Sequence, residues 1–392
     1  MRGTRIAING LFLTRPHTGM GRYTLGLLRS LPSAMRGTEF VAFVPEKVAV
    51  DLPRAIRTVV VPPKRSLLGR GKALDDWERN RLGVAAGQCK AHLIFQPYPA
   101  PPTRNPFGVP VVMTVHDAIP WQLPRYRRAV RSRIKFRGIK RGIRAADHLL
   151  TVSGASAKAI SWAVDVPRQQ IAVTYEGLEP EYRTAPSSRT VTAVRKRYGL
   201  VRPYVFYVGG YDHRKNVRGL IRGFAESGLP AGHDLVLAGA LTAPSSALYE
   251  DFHRLPILIA QSKVNGQVRT IGFVSEAEKQ ALLTGADAFC YPSLAEGFGL
   301  PVLEALACGT PVAASDIEPI HELFAGAYEP FRPDHVEELA TALRKAVLEP
   351  DERKIEKGHD WMKHYTWEAA AARTATVFSE QVKRHAAGRS RG

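Results

Sequence analysis

Short apolar runs alternate with amphipathic stretches along this chain, and the alternation runs twice. In the first half the runs are Arg5–Asn9, Glu39–Val44, Thr58–Val61, Leu93–Phe95, Val111–Val115, His148–Val152 and Ile171–Thr174. Runs so short and apolar read as strands buried on both faces, and helical connections between them make the sheet parallel. The second half repeats the scheme at 204–208, 234–238, 269–271, 288–291 and 311–314. Between the halves, Arg183-Thr-Ala-Pro-Ser-Ser-Arg-Thr190 is polar and turn-rich and reads as an interdomain linker. A chain of 392 residues is too long for one compact core. The expectation is an α/β protein of two doubly wound domains facing across a cleft, with ligands at the C-terminal ends of the strands. The expected boundaries are 1–185 and 203–366 for the domains, with a linker at 186–202 between them. A helix at 367–383 is expected to pack back toward the first domain, followed by a disordered basic tail at 384–392.

The segment Tyr291-Pro-Ser-Leu-Ala-Glu-Gly-Phe-Gly-Leu-Pro-Val-Leu-Glu304-Ala-Leu-Ala-Cys-Gly309-Thr-Pro is the richest in chemistry. Leu300 to Cys308 reads as a helix, with Pro301 in its first turn, Gly309 closing it and Pro311 as stop. Gly297, Phe298, Gly299 and Leu300 form the turn into that helix, where backbone N–H groups suit a phosphate-like anion. Glu296 lies in the loop and Glu304 one turn beyond Leu300 on the same face. Two carboxylates for hydroxyls and one anion site fit a nucleotide-sugar. The competing reading is an ordinary βα turn with two solvated glutamates.

Glu-Gly-Phe-Gly-Leu-Pro with a second glutamate eight positions after Glu296 resembles the donor-site signature of the retaining glycosyltransferases of family four, which have the GT-B fold of two Rossmann-like domains. The resemblance runs from Gly19-Met-Gly-Arg-Tyr23 to the Tyr365-Thr-Trp-Glu368 helix, and looks most like the bacterial mannosyltransferase-like branch that builds surface polysaccharides. It implies that Glu296 binds sugar hydroxyls, Glu304 the ribose and Lys215 the donor diphosphate. Lys215 sits in Tyr207-Val-Gly-Gly-Tyr-Asp-His-Arg214-Lys215-Asn216, where a strand ends in glycines before two cations. Many members carry an arginine directly after Val-Gly; here that position is Gly210, and Arg214 is the substitute. His116 closes the strand Val111–Val115 in a Thr-Val-His-Asp fragment similar to the family's acceptor-side motif, where this His contacts the donor sugar. Asp117 fixes the His or caps the next turn. Gly19 and Gly21 face the donor phosphates by the same resemblance, or form a tight turn. A dinucleotide fingerprint fails there, since position 24 is Thr. Ser153, ahead of Gly-Ala-Ser-Ala-Lys158, reads as a helix N-cap.

The chain carries 55 Lys and Arg against 36 Asp and Glu, a net charge of +19, which favours a polyanion, either nucleic acid or an anionic membrane. From Pro124 to Ala146 it has ten cations and no acid. On a helix Ala129, Ser132, Phe136, Ile139, Ile143 and Ala146 form the core stripe. Arg133, Arg137, Lys140, Arg141 and Arg144 fall opposite, with Val130 and Ile134 exposed among them. Cations around a small apolar wedge suit an anionic membrane surface met by residues 125–144, although a merely solvated face reads the same way. No apolar run reaches the length of a spanning helix. Met1 to Leu13 reads as a first strand rather than a leader. Three scattered cysteines, Cys89, Cys290 and Cys308, fit a reducing cytosol. The expected place is therefore the cytoplasm, at the inner face of the plasma membrane.

The function expected is transfer of a hexose, mannose among the candidates, from GDP-mannose or a UDP-sugar to a growing glycan or polyprenyl-linked acceptor. No metal or other cofactor is expected: no Asp-x-Asp occurs, and cations with a helix start can stabilise a leaving diphosphate. A nucleotide-sugar epimerase on the same fold is the alternative; it needs acid–base residues at C2 of the sugar and no membrane helix. A nucleic-acid binder explains the charge but leaves the paired glutamates idle, and no aromatic platform interleaves the basic run.

Overall fold

The computed structural model describes residues 3–64, 66, 69–240 and 253–389. The chain divides into two compact units, 1–177 with 365–392, and 178–364. The first unit holds strands β1 (Arg5–Asn9), β2 (Glu39–Val44), β3 (Ile56–Val60), β4 (Leu93–Gln96), β5 (Val111–Thr114), β6 (His148–Thr151) and β7 (Ile171–Val173). They form one sheet in the order β3-β2-β1-β4-β5-β6-β7, parallel at every pairing. The second unit holds β8 (Tyr204–Val208), β9 (Asp234–Ala238), β10 (Val268–Gly272), β11 (Ala288–Tyr291), β12 (Val312–Ser315) and β13 (Glu329–Phe331). Their order is β10-β9-β8-β11-β12-β13, again parallel throughout.

Counted from its own first strand, each sheet begins 3-2-1-4-5-6, the doubly wound order of dinucleotide-binding proteins. Its direction of winding reverses between the first and fourth strands, and there the loops at the C-terminal ends splay to leave a crevice. In the second unit those strands are β8 and β11, which carry Lys215 and Glu296 in the loops that follow them. The central strands are apolar on both faces, as helices on both sides require: Tyr204–Tyr207, Leu235–Ala238 and Ala288–Tyr291 are all buried.

The structure corrects several boundaries. The stretch 186–202 is not an open linker: Ser188–Arg197 is a helix, capped by Ser187, and it packs on the helix Glu276–Thr284. The division falls earlier, after Gly177. The first helix begins at Gly19, inside the stretch read as a glycine loop. Thr18 accepts the Gly21 N–H and so caps the helix at its start. The terminal helix runs Trp367–Arg389, so residues 384–389 are helical rather than a loose tail, and 390–392 lie outside the described residues. It packs along the helix Gly19–Ala34. The Trp367 indole fills the space over Gly26, where a Cβ would lie 2.2 Å from it, and Phe378 meets Phe95 at 5.0 Å. No helix among the described residues is long and apolar enough to cross a membrane.

Candidate functional site

The loop after β8 and the loop after β11 build one charged cluster. His213–Lys215 is a single tight turn. Asn216 follows in the left-handed region (φ 50°) and caps the helix Val217–Glu226 with its own side chain, a conformation that Asn tolerates. That helix start is therefore closed by Asn216, and the two cations do not line it. They turn instead toward the β11 loop. Lys215 Nζ lies 2.7 Å from Oε1 of Glu296 and donates to the Tyr291 hydroxyl at 2.9 Å. Arg214 reaches the same Glu296 oxygen at 2.6 Å and the Ala295 carbonyl at 3.1 Å.

All three charges are largely shielded from water. Burial pushes the Glu296 carboxyl up, but Arg214 and then Lys215 outweigh it and hold it at about 2. Burial first, and then the adjacent Arg214 charge, push the Lys215 ammonium below its ordinary range, against the pull of Glu296. The sequence assigned the cations and Glu296 to separate parts of a ligand; the structure joins them in one compensated cluster. An incoming anion would compete with Glu296 for both cations.

Gly299 opens the helix Leu300–Ala307 with φ 98° and no side-chain cap. A Cβ there would stand 2.3 Å from Ile320, so both the conformation and the space demand glycine. Phe298 is buried edge-on to Phe324 at 6.0 Å. Gly297 and Leu300 complete the turn. Glu304 sits inside the protein, fully buried. The Lys279 ammonium lies 2.8 Å from each of its oxygens and also 2.8 Å from Glu276. The helix face that carries Glu304 thus points into the packing against Glu276–Thr284 rather than to the surface. Lys279 and Tyr291 were missed by sequence reasoning. A lysine on the apolar side of an amphipathic helix was the available sign for Lys279. Tyr291 had none, because its place in the chain is the end of a buried strand.

In the first unit His116 follows β5. Its Nε2 lies 3.1 Å from the Pro97 carbonyl and its Nδ1 3.5 Å from Oε1 of Glu176. Tyr23 stands edge-on to the ring at 4.5 Å and pairs with the Thr114 hydroxyl at 3.1 Å. Asp117 accepts the Ile119 N–H at 2.9 Å, so it caps the next turn. Ser153 accepts the Ser156 N–H at 3.0 Å, as a helix cap should. Gly19 and Gly21 belong to the first helical turn rather than a loop. Gly21 is packed so that a Cβ would lie 2.1 Å from the Arg15 carbonyl oxygen, whereas Gly19 is open on that side. Glu176 had no motif to announce it.

The basic helix is Val130–Ala145. Val130 and Ile134 are 61% and 64% exposed, and Arg128, Arg131, Arg133, Lys135, Arg137 and Arg141 are exposed around them. Three details differ from the expectation. Ala129 is exposed rather than core. Lys140 donates to the Ala163 carbonyl at 2.8 Å. Arg144 donates to the Val164 carbonyl at 2.7 Å and to Asp165. These two cations close the C-terminal end of the helix Gly154–Val164, where carbonyls lack partners.

Residues 193–364 match the Glycosyl transferases group 1 family, and residues 17–182 match Glycosyltransferase Family 4. The chain is 25% identical over 378 residues to an O-antigen chain mannosyltransferase B of Escherichia coli, spanning 93% of this chain and 96% of that one. It is 29% identical over 299 residues to an MMP alpha-(1->4)-mannosyltransferase of Mycolicibacterium hassiacum, over 71% of this chain and 67% of the other. Among solved structures it resembles sucrose-phosphate synthase from Thermosynechococcus elongatus, with a TM-score of 0.75, 18% identity and coverage of 96% and 98%. It also resembles WaaG, a glycosyltransferase involved in lipopolysaccharide biosynthesis, with a TM-score of 0.72, 17% identity and coverage of 96% and 99%. Two doubly wound units, cations and a glutamate at the switch point of the second, and two family matches that together span nearly the whole chain place it among the family 4 (group 1) glycosyltransferases of GT-B fold.

Proposed function

We propose that this glycosyltransferase moves a hexose, mannose in our reading, from a nucleotide-sugar to a growing glycan or polyprenyl-linked acceptor in surface polysaccharide synthesis, with retention of configuration. The relatives named as O-antigen mannosyltransferases support the sugar and the pathway class. The observation that carries the reading is the shared grip of Arg214 and Lys215 on one oxygen of Glu296 at the β8/β11 switch point. Two largely shielded cations held by a single carboxylate are ready to exchange it for a diphosphate, which brings more charge and more acceptor oxygens. Glu296, released, is free to accept sugar hydroxyls. As the glycosidic bond breaks, charge grows on the leaving diphosphate, and cations already in place stabilise it without rearrangement. A metal ion is not part of this reading.

Residues 125–144 supply the second element. The exposed cations surround Val130 and Ile134, and Trp162, 83% exposed, neighbours Ala163, whose carbonyl Lys140 holds. Exposed Trp beside cations suits the boundary of an anionic membrane, where a polyprenyl-linked acceptor is found. The protein then works at the cytoplasmic face of the membrane.

The test is a screen of purified protein against GDP-mannose and a panel of UDP-sugars, followed by calorimetry of the nucleoside diphosphate with Lys215→Ala. Losing a charged hydrogen bond should weaken binding by roughly 1.5–3 kcal/mol. An unchanged dissociation constant overturns the diphosphate assignment.

A further inference from the structure

We propose that Glu176 is a positioning residue for His116, holding its imidazole in place from the Nδ1 side while Nε2 exchanges the Pro97 carbonyl for a substrate oxygen. The proposal rests on the reading of His116 as a donor-side residue.

The setting of the ring follows from its partners. A carbonyl oxygen only accepts, so the 3.1 Å contact to Pro97 places a proton on Nε2 of His116. Nδ1 faces a Glu176 oxygen at 3.5 Å. A carboxylate oxygen only accepts, so Glu176 holds this edge of the ring as the Pro97 carbonyl holds the other. Tyr23, edge-on at 4.5 Å, limits the ring's rotation from a third side. Its hydroxyl is engaged with Thr114, and burial pushes that hydroxyl well up, so it stays neutral.

The backbone shows that this placement is enforced. β7 stops at Val173, two strands away from β5 in the sheet. At Tyr175 the chain enters the left-handed region, φ 56°, where a bulky side chain is strained. The strain is held from one direction. The Tyr175 ring meets Tyr365 at 5.5 Å, and the Arg373 guanidinium lies over it at 4.8 Å. Two residues on, Gly177 is pressed against the start of the terminal helix, where a Cβ would lie 2.3 Å from the Trp367 nitrogen. With both neighbours clamped, Glu176 is carried across to His116. A carboxylate on the far nitrogen of a working histidine fixes the orientation of its ring.

The experiment compares His116→Ala, Glu176→Gln and Glu176→Asp with the parent protein, using the donor found in the screen. Ring-nitrogen shifts of ¹⁵N-histidine-labelled protein without substrate give an independent readout. Glu176→Gln keeps size and polarity, so a fold defect is not expected, and a thermal melt checks it. We expect Glu176→Gln to lower kcat by about 10- to 100-fold with KM little changed, and to shift the His116 ring-nitrogen signals. Glu176→Asp should recover part of the rate. A Gln variant with parental kcat, or with an unchanged ring spectrum, overturns the proposal. If His116→Ala is also inactive, the site reading stands without it. Full activity of His116→Ala removes the site reading and this proposal together.

Discussion

Lys279 holds its ammonium 2.8 Å from both oxygens of Glu304, and both side chains are buried. A paired charge inside a protein costs little more than it returns, but either partner left alone is expensive. Glu304→Ala should therefore destabilise the second unit by about 3–5 kcal/mol, read by urea denaturation. Glu304→Leu combined with Lys279→Met should recover much of that loss. If the double variant binds nucleoside diphosphate like the parent, Glu304 serves the fold rather than a ribose.

Acid should act through Glu296. Its carboxyl sits at about 2 in the folded protein against an ordinary value of 4.5. A depressed acid stabilises above the unfolded value, and that stability is lost as pH falls from 4.5 toward 2. The depression corresponds to about 3 kcal/mol. Stability measured in urea from pH 6 to pH 2.5 should fall through this window, and Glu296→Gln should flatten the fall while starting lower at pH 6. An equally steep acid limb in the variant would show that other carboxylates govern it.

The same cluster makes a binding prediction of opposite sign. In the resting protein Glu296 neutralises both cations. Glu296→Ala should leave the affinity for nucleoside diphosphate unchanged or raise it, while turnover falls, because sugar contacts that tighten as the bond breaks are lost. Calorimetry and steady-state kinetics on one preparation decide it; a variant that binds weakly yet turns over normally contradicts the assignment.

On the basic helix, function and fold should separate by residue. Replacing exposed Arg131, Arg133, Arg137 and Arg141 with Gln should release the protein from anionic vesicles, at about 1 kcal/mol per cation, with the melting curve unchanged. Lys140→Gln and Arg144→Gln should instead lower stability by about 1 kcal/mol each, since they remove partners of helix-end carbonyls. Equal binding of the parent to neutral and anionic vesicles would refute the membrane surface.

Much of this was legible in the chain. The strand runs, the helix at Leu300 and the exposure of Val130 and Ile134 follow from periodicity and turn chemistry, which are local. The thirteenth strand, Glu329–Phe331, escaped because an edge strand of three residues containing proline has no apolar run to show. The charge pairs escaped for a different reason. Glu296 meets residues 81 and 82 positions earlier in the chain, and Glu176 meets one 60 positions earlier; such distances are closed by sheet order, which no local pattern encodes. The burial of Glu304 was not legible, because helical spacing says which residues share a face but not whether that face is covered.

The first unit is assembled from two separated pieces, residues 1–177 and 365–392, with the whole second unit between them. During synthesis the first seven strands emerge long before Trp367 and Phe378, and Tyr23, Gly26 and Phe95 wait without the side chains that cover them. The usual N-to-C order of domain folding therefore leaves the first unit without its full set of contacts until its final segment, 365–392, has been made.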